Sequence, residues 1–291
     1  MKYKLIAIDL DGTLLNSSGE ISEENKQSLK KIKQLGVEIV LTSGRMSSSI
    51  KEIAEEIGAE NYFISGNGAI IYDLKQNKMI YNNSLSKEKT LNIIRTCENN
   101  SIYCSINTEQ TIITKNLSFN TLVYNYENSK KAENKTTKIN IVDNLYEYID
   151  KINTSPITKI TVCDENEIVF KRIVKILKEI PEINVLDVSH MSKKVIKSGT
   201  ENIDIKYFYT EITNENVNKW QALSFLINKM GIEKEKVIAI GDNINDIEMI
   251  QNAGLGVVMG NSALSNTDVG NVIVKSCDES GVSEAINRFI L

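Results

Sequence analysis

Short apolar runs alternate with amphipathic stretches along the first part of the chain. The apolar runs predict three strands, and these are KLIAIDL, VEIVLTS and NYFISGNG. The stretches between them carry apolar residues at helical spacing, and they are SEENKQSLKKIKQLG and SSSIKEIAEEIG. The first helix is expected to begin near Ser22, a good capping residue, and to end at Gly36.

The last part of the chain resumes the same alternation. Its predicted elements, in order, are the helix NKWQALSFLINKMG, the strand KVIAIGD, the helix NDIEMIQNAG, the strands GLGVVMG and NVIVKS, and the helix GVSEAINRFI. Strands that alternate with helices indicate right-handed βαβ units and a parallel sheet. We therefore predict an α/β fold whose core is one Rossmann-like, doubly wound parallel sheet.

The pattern of apolar and polar residues changes between about residues 83 and 211. Longer, more polar strands are predicted there, among them SIYCSINTEQTIITK and ITKITVCD. The pattern favours an inserted α+β domain at 83–211. The core would then be discontinuous and consist of residues 1–82 and 212–291.

Composition narrows the class of protein. The 291 residues are 41% hydrophobic and 25% charged, with a net charge of −4, which is ordinary for a soluble globular protein. This charge favours neither nucleic acid nor an anionic membrane as a partner, and no apolar run reaches the roughly 20 residues of a membrane span. The four cysteines lack the paired spacing of a metal site or a disulfide framework. We expect a cytoplasmic protein with reduced, mostly buried thiols.

Polar residues follow several of the predicted core strands at the point where each strand ends. Ligands of doubly wound sheets bind beyond the carboxyl ends of the strands, so these residues are the first candidates for function. They are Asp9, Asp11, Ser43, Gly44, Asn67 and Asp242, and the nearby Lys219, Asn245 and Asp246 are expected to join them.

Closely spaced carboxylates repel one another unless a cation neutralises them or one of them holds a proton. A hard divalent cation with oxygen ligands solves this problem, and Mg²⁺ suits best because it binds one or two carboxylates and keeps room for water and phosphate. Ser43, Gly44 and the helix start that follows them offer the hydroxyl and amide donors that bind phosphate. The sequence therefore predicts a site for Mg²⁺ and a phosphate group.

Four segments resemble, in order, the four motifs of the haloacid dehalogenase-like (HAD) phosphatases. They are DLDGTLL at 9–15, LTSGR at 41–45, NVNKWQAL at 216–223 and GDNINDIEMI at 241–250. The segments SGNGA at 65–69 and VVMGNS at 257–262 are similar to those of the Cof-type branch, in which an α/β cap is inserted after the third core strand. Four motifs in the right order are a far more specific signal than one D-x-D-G-T.

The resemblance implies a role for each motif residue. Asp9 would be the nucleophile that forms an aspartyl-phosphate, and Asp11 would be the general acid and then the general base. Alternate residues of an extended chain point to the same side, which allows both carboxylates to reach the same substrate.

Binding roles follow from the same resemblance. Mg²⁺ would be held by the Asp9 side chain, the Asp11 carbonyl and Asp242, with Asp246 in support. The phosphate would meet the Leu10 amide and the residues Ser43, Gly44, Lys219 and Asn245. Asn67 would shape a turn or approach the substrate, and Arg45 would reach the phosphate or the cap, or pair with an acid.

The implied function is Mg²⁺-dependent hydrolysis of small phosphorylated metabolites, with the inserted domain choosing the substrate. Two alternatives stay open on the sequence. One is a phosphomutase or phosphotransferase of the same fold, and the other is a non-catalytic protein that binds phosphorylated metabolites. The chain departs from the family pattern at Trp220, where the lysine motif commonly has glycine, and we expect this residue to be a core or cap contact.

Overall fold

A computed structural model of the chain describes residues 2–130, 136–151, 155–186, 191–198, 201–266 and 268–291. Its strands are β1 (Leu5–Asp9), β2 (Glu38–Thr42), β3 (Tyr62–Ser65), β4 (Ile70–Asp73), β5 (Lys78–Asn82), β6 (Tyr103–Thr108), β7 (Thr111–Thr114), β8 (Lys138–Ile141), β9 (Ile157–Asp164), β10 (Ile183–Val185), β11 (Ser192–Ser198), β12 (Glu201–Asn214), β13 (Val237–Gly241), β14 (Leu255–Val258) and β15 (Val272–Ile273). Its helices are α1 (Glu23–Gln34), α2 (Ser47–Ile57), α3 (Lys87–Asn99), α4 (Phe119–Asn128), α5 (Leu145–Lys151), α6 (Glu167–Leu177), α7 (Lys219–Met230), α8 (Ile247–Asn252) and α9 (Gly281–Phe289).

The chain divides into two compact units. The core unit comprises Met1–Asn82 and Val217–Leu291, and the inserted unit is Asn83–Asn216. The sequence placed the return to the core at residue 212, five residues earlier than the structure does, because β12 continues pairing in the inserted unit as far as Asn214. Among the described residues, none of the helices could cross a lipid bilayer.

The core unit is built on a sheet with the strand order β15-β14-β13-β1-β2-β3-β4-β5. Strands β15 to β3 run parallel. The apolar positions of β1 alternate between its two faces: Ile6 and Ile8 pack with α1, α2 and α9, whereas Leu5 and Ala7 pack with α7 and α8. Burial on both faces explains why β1 is apolar throughout, and it confirms the doubly wound fold.

The far edge of the core sheet was not predicted. Strands β4 and β5 form an antiparallel hairpin, and β4 also runs antiparallel to β3. Only the short turn Gly66–Gly68 and Ala69 separate β3 from β4. A parallel return would need a crossover of a dozen or more residues, so the chain can pair with β3 only in the antiparallel sense.

The inserted unit has its own sheet, with the order β10-β12-β9-β6-β7-β8 and with β11 paired to β12. Helices α3, α5 and α6 cover one face of this sheet and bury a common apolar cluster that includes Ile94, Ile149, Ile173, Ile160 and Phe208. The segment SIYCSINTEQTIITK, predicted as one strand, is the hairpin of β6 and β7. Thr108 turns the chain there, because its hydroxyl accepts from the amides of Gln110 and Thr111.

The four cysteines are free and buried, as the sequence predicted. They are Cys97, Cys104, Cys163 and Cys277. Cys97 and Cys104 belong to the apolar cluster of the inserted unit, where they act as small hydrophobic residues.

The capping residue Ser22 supports two elements of the core unit. Its hydroxyl accepts from the amide of Asn25 at 3.3 Å and lies 2.8 Å from the hydroxyl of Ser280, which precedes α9. We expect Ser22→Ala to lower the free energy of unfolding by about 1 to 2 kcal/mol, because the α1 cap and the contact between hydroxyl groups are both lost. Urea unfolding followed by the fluorescence of Trp220, the single tryptophan, would measure this change in the core unit.

Ser18→Ala is the matched control, because Ser18 is exposed in the preceding loop. An equal change in both variants would contradict the assigned role of Ser22.

Candidate active site

Four neighbouring parallel strands of the core unit, β13, β1, β2 and β3, end at the same edge of the sheet. Their carboxyl ends place Asp242, Asp9 and Ser43 next to one another, and the turn Gly66–Gly68 follows β3 at the same edge. The predicted convergence of strand ends is thus present in the fold, and it follows from the parallel pairing.

Three carboxylates gather at this edge. Asp9, Asp242 and Asp246 each offer an oxygen, and these oxygens lie within 4.8 Å of one another. Asp9 and Asp246 are buried, whereas Asp242 is half-buried. The cluster therefore concentrates negative charge where water can screen it only weakly.

Lys219 supplies positive charge to this cluster. Its side chain is completely buried, and its ammonium donates to Asp9 Oδ1 and, at 2.6 Å, to Asp246 Oδ1. Burial alone would lower the pKa of Lys219, but the two carboxylates raise it above its ordinary value. The lysine therefore remains charged inside the protein.

The local backbone explains how Lys219 reaches the carboxylates. Lys219 is the first residue of α7, and Asn218 caps this helix by accepting from the amide of Gln221 at 2.7 Å. Gly68 has φ of +104° and packs so closely that a Cβ there would lie 2.1 Å from the carbonyl oxygen of Asn218. The turn after β3 thus fixes the start of the helix that carries the lysine.

One lysine does not neutralise three carboxylates. The pKa values of Asp9 and Asp242 are both raised. Burial raises the pKa of Asp9 to about 8, although Lys219 acts in the opposite direction. Burial also raises the pKa of Asp242, with the charge of Asp246 adding to the effect. The site therefore favours either a proton or a further cation.

Two residues of the first motif hold Asp242 in place. Thr13 is buried, and its hydroxyl donates to Asp242 Oδ1 at 3.0 Å. Gly12 has φ of +80°, and a Cβ at this position would lie 2.5 Å from Asp242 Oδ2. Glycine is required here because the backbone turns in the left-handed region against a carboxylate.

Asp246 uses both carboxylate oxygens within the protein. Oδ1 accepts from Lys219, while Oδ2 accepts from the amides of Asp242 and Asn243 at 3.1 Å each. Gly241 leaves room for this side chain, because a Cβ there would lie 2.4 Å from Asp246 Cγ. Asp246 thus ties the lysine to the loop that presents Asp242.

The side chain of Asp11 lies apart from the carboxylate cluster. Both its oxygens accept from Arg45, Oδ2 from Nε at 2.9 Å and Oδ1 from Nη2 at 2.5 Å, and the Asp11 side chain is 61% exposed. Of the three possibilities the sequence left for Arg45, this structure shows pairing with an acid. The sequence predicted the backbone carbonyl of Asp11, and not its side chain, as a metal ligand. The third side chain of the carboxylate cluster is that of Asp246.

The remaining predicted residues lie around the same strand ends. Ser43 is buried, and its hydroxyl oxygen accepts from the amide of Arg45 at 3.1 Å, which leaves its hydrogen able to donate. Asn67 has φ of +57°, and its Oδ1 accepts from Asn245 Nδ2 at 3.0 Å. A Cβ at Gly44 would lie 2.8 Å from Asn67 Oδ1, so Asn67 packs directly on the loop after β2. Leu10 is buried beside Asp9.

Two residues that brace the site received no role from the sequence. Asn261 donates to the carbonyl of Gly12 at 2.9 Å and accepts from the amide of Cys277 at 2.8 Å. Ser262 donates its hydroxyl proton to the carbonyl of Asp242. The segment VVMGNS resembles a family feature, and its last residues follow β14 directly, which is the signal that could have identified Asn261 and Ser262.

Comparison with known proteins agrees with this geometry. The haloacid dehalogenase-like hydrolase family matches residues 6–286 of the chain. The chain belongs to this family. The resemblance seen in the four motifs is therefore confirmed.

The chain is similar to known proteins over almost its whole length. Phosphatase YwpJ of Bacillus subtilis (strain 168) is 27% identical, with 99% of this chain and 100% of the relative covered. The 5-amino-6-(5-phospho-D-ribitylamino)uracil phosphatase YcsE of the same organism is also 27% identical, with 99% and 96% covered. A haloacid dehalogenase-like hydrolase from Bacteroides thetaiotaomicron matches with a TM-score of 0.77 at 29% identity, over 99% of this chain and all of that one.

The donor set of this haloacid dehalogenase-like hydrolase fits a hard divalent cation. Asp9 and Asp242 offer carboxylate oxygens, the type of ligand that such cations prefer. Asp246 already accepts from three donors of the protein, so it is better suited to orienting the site than to direct ligation.

Trp220 has a packing role in the core unit. It is half-buried and packs against the apolar cluster that α7 forms with the sheet. Of the two contacts expected for Trp220, one with the core and one with the cap, the structure shows the contact with the core.

Removal of the buried lysine tests the electrostatic account of the site. We expect Lys219→Met to lower the free energy of unfolding by about 3 to 5 kcal/mol in EDTA, because Asp9 and Asp246 lose their buried partner. Lys229→Met, on the same helix and exposed, should change it by less than about 0.5 kcal/mol. Denaturation followed by circular dichroism gives both values, and equal stabilities would refute the account.

Proposed function

We propose that this hydrolase is a Mg²⁺-dependent phosphatase that cleaves small phosphomonoesters through an aspartyl-phosphate on Asp9. The observation that carries the proposal is the environment of Asp9. This buried carboxylate ends β1, contacts the ammonium of Lys219 and shares its site with Asp242 and Asp246. A carboxylate placed in this way can act as a nucleophile next to groups that stabilise a phosphoryl group.

The proposed reaction has two displacements at phosphorus. An Asp9 carboxylate oxygen forms a bond to phosphorus while the bond to the ester oxygen breaks, and Asp11 donates a proton to the leaving alcohol. Water then attacks the phosphorus of the aspartyl-phosphate, Asp11 accepts its proton, and the bond between Asp9 and phosphorus breaks. The products are the alcohol and inorganic phosphate, and both side chains return to their starting states.

Asp11 needs freedom to move protons in both directions. The structure gives it an exposed position and a bidentate partner, Arg45. In our proposal Arg45 orients the Asp11 side chain before substrate binds, and Asp11 then separates from Arg45 and takes up a proton from solvent before the first displacement. This keeps the proton-transfer group separate from the carboxylates of the buried cluster.

The phosphoryl group needs hydrogen-bond donors and positive charge during both displacements. In the proposal these come from Lys219, the Ser43 hydroxyl, the Leu10 and Gly44 amides and the Asn245 amide group. Lys219 is held by Asp9 and Asp246, and Asn245 is held by Asn67, so both are positioned before substrate arrives. Donors that are already oriented lower the cost of reorganisation in the transition state.

Mg²⁺ would be held by Asp9, Asp242 and the Asp11 carbonyl. When bound, it would neutralise part of the charge on the phosphate and on the carboxylates. Asp246 would support this arrangement through the amides of Asp242 and Asn243.

The names of the relatives support a substrate class. Two full-length relatives are named phosphatases, and one is named for a phosphorylated ribitylamino compound. We therefore propose a small phosphorylated metabolite, such as a sugar phosphate, and assign its selection to the inserted unit as a cap. Neither nucleic acid nor a membrane is part of the proposal. We expect the protein in the cytoplasm, since the four cysteines are free thiols and a reducing compartment keeps them so.

Replacement of the nucleophile is the direct test of the chemistry. We expect Asp9→Asn to reduce Mg²⁺-dependent release of p-nitrophenol from p-nitrophenyl phosphate at least about a thousandfold, because an amide cannot form the phosphoenzyme. Asp143→Asn, an exposed position in the inserted unit, is the matched control and should keep full activity. Equal turnover by both variants would refute nucleophilic catalysis by Asp9.

The same assay separates the alternatives. Phosphate released in a 1:1 ratio with p-nitrophenol indicates hydrolysis, whereas a phosphate deficit that appears with an added sugar identifies a phosphotransferase. Tight binding of a phosphoester without turnover would identify a binding protein.

Metal binding should be linked to protons. The carboxylates must be ionised to bind Mg²⁺, and burial raises the pKa of Asp9 to about 8 and that of Asp242 above its usual range. We therefore expect Mg²⁺ affinity to increase from about pH 6 to about pH 8, with protons released on binding. Calorimetry in buffers of different ionisation enthalpy would measure both effects. Asp242→Asn should weaken binding at every pH, and unchanged affinity in this variant would exclude the assigned site.

A further inference from the structure

The loop at residues 259–262 follows β14 and lies beside both segments of the core unit that carry the proposed metal ligands. The Met259 amide donates to the Gly241 carbonyl at 3.1 Å, so the parallel pairing of β13 and β14 continues to the end of β13. The Gly260 amide donates to the Lys275 carbonyl at 3.2 Å, which fastens the loop on its other side. The position of the loop is therefore set by its neighbours in the fold.

Asn261 joins two segments that are far apart in the chain. Its Nδ2 donates to the Gly12 carbonyl at 2.9 Å, and its Oδ1 accepts from the Cys277 amide at 2.8 Å. A backbone carbonyl only accepts and a backbone amide only donates, so the side-chain amide of Asn261 has a single orientation in which both bonds form. The turn of the first motif is thereby tied to the segment that precedes α9.

The bond to Gly12 restrains a flexible point of the first motif. Gly12 has φ of +80° and directly follows Asp11, whose backbone carbonyl is a proposed metal ligand. Glycine has more conformational freedom than any other residue. A partner on its carbonyl limits rotation of the peptide group that leads to Thr13, and the Thr13 hydroxyl donates in turn to Asp242 Oδ1 at 3.0 Å. Asn261 therefore restrains the turn that carries both groups.

Ser262 holds the backbone of Asp242. Ser262 is buried, and its hydroxyl donates to the Asp242 carbonyl and accepts from the Leu264 amide at 2.9 Å. The Asp242 amide donates to Asp246 Oδ2 at 3.1 Å, and the Asp242 carboxylate accepts from Thr13. The amide, the carbonyl and the carboxylate of Asp242 thus each have a partner.

These bonds go to backbone groups next to the proposed ligands. Mg²⁺ requires nearly ideal octahedral geometry, so a displaced ligand weakens its binding. Replacement of the hydrogen-bond partners that orient ligands commonly lowers metal affinity about tenfold to a hundredfold. A loop that restrains two ligand-bearing segments at once is well placed to have such an effect.

We infer that Asn261 and Ser262 are positioning residues that set the Mg²⁺ affinity of the core unit, an inference that rests on the metal site of the proposed function. Asn261 fixes the turn that carries the Asp11 carbonyl, and Ser262 fixes the backbone of Asp242. One short loop thereby aligns ligands from the first and the fourth motif.

Calorimetric titration of the protein with Mg²⁺ in the absence of substrate tests the inference. We expect Asn261→Ala and Ser262→Ala each to raise the dissociation constant for Mg²⁺ about tenfold or more, because a ligand loses its restraint. Asn261 is exposed, so its replacement carries little risk to folding. Ser262→Thr keeps the hydroxyl group and should restore most of the affinity that Ser262→Ala loses.

Asn271→Ala is the matched control. Asn271 lies between β14 and β15, and its Oδ1 accepts from the Gly256 amide at 2.8 Å, so this variant also loses a bond between an asparagine side chain and the backbone. It should bind Mg²⁺ as the wild-type protein does. Circular dichroism and urea unfolding in EDTA would verify that all variants are folded and would show how much stability each one loses.

The outcomes distinguish this inference from the proposed function. Wild-type Mg²⁺ affinity in Asn261→Ala and Ser262→Ala, together with weaker binding in Asp242→Asn, would overturn the inference while the proposed function stands. An equal loss of affinity in Asn271→Ala would also overturn it, because a general loosening of the core unit would then explain the effect. Equally weak binding by Ser262→Ala and Ser262→Thr would refute the role of the hydroxyl group. If the wild-type protein binds no Mg²⁺, the proposed function fails and the inference fails with it.

Discussion

The core unit depends on the burial of one ammonium group among carboxylates at the end of a parallel sheet. Lys219 is inaccessible to solvent and contacts Asp9 and Asp246. Charges in such a place are tolerated only when paired and hydrogen-bonded. The close turns around them, with glycine at positions 12, 68 and 241, follow from this need, because a Cβ at any of the three would clash with a carboxylate or with the backbone that presents the lysine.

The same constraint gives the four aspartates of the site different hydrogen bonds and different electrostatic environments. Asp246 accepts hydrogen bonds from Lys219 and from two backbone amides, and it therefore holds the site together. Burial raises the pKa of Asp9 and of Asp242, and the positive charge of Lys219 does not fully offset this effect. Asp11, paired with Arg45 in a more exposed position, is electrostatically distinct from them. This separation is what the proposed mechanism needs, because a metal ion and a proton-transfer group act side by side in it.

The sheet of the inserted unit has two faces that differ in chemistry. One face of its sheet is apolar and is covered by helices. The other carries a buried ion pair and two buried polar atoms that have no hydrogen-bond partner in the part of the chain that the structure describes. An antiparallel sheet with a single apolar face leaves the opposite face open to specialisation.

The sequence by itself determined the helices of the core and its strands other than β4 and β5, the order of the four motifs and the identity of the polar strand ends. These features are local, since periodicity and capping residues act within a few positions. Only the tertiary structure decided which carboxylates share a cluster, that Arg45 pairs with Asp11, that β4 and β5 are antiparallel, and that Asn261 and Ser262 brace the site. Lys219 and Asp9 are 210 positions apart, and no local pattern specifies their contact, because it arises only when α7 packs against the folded sheet.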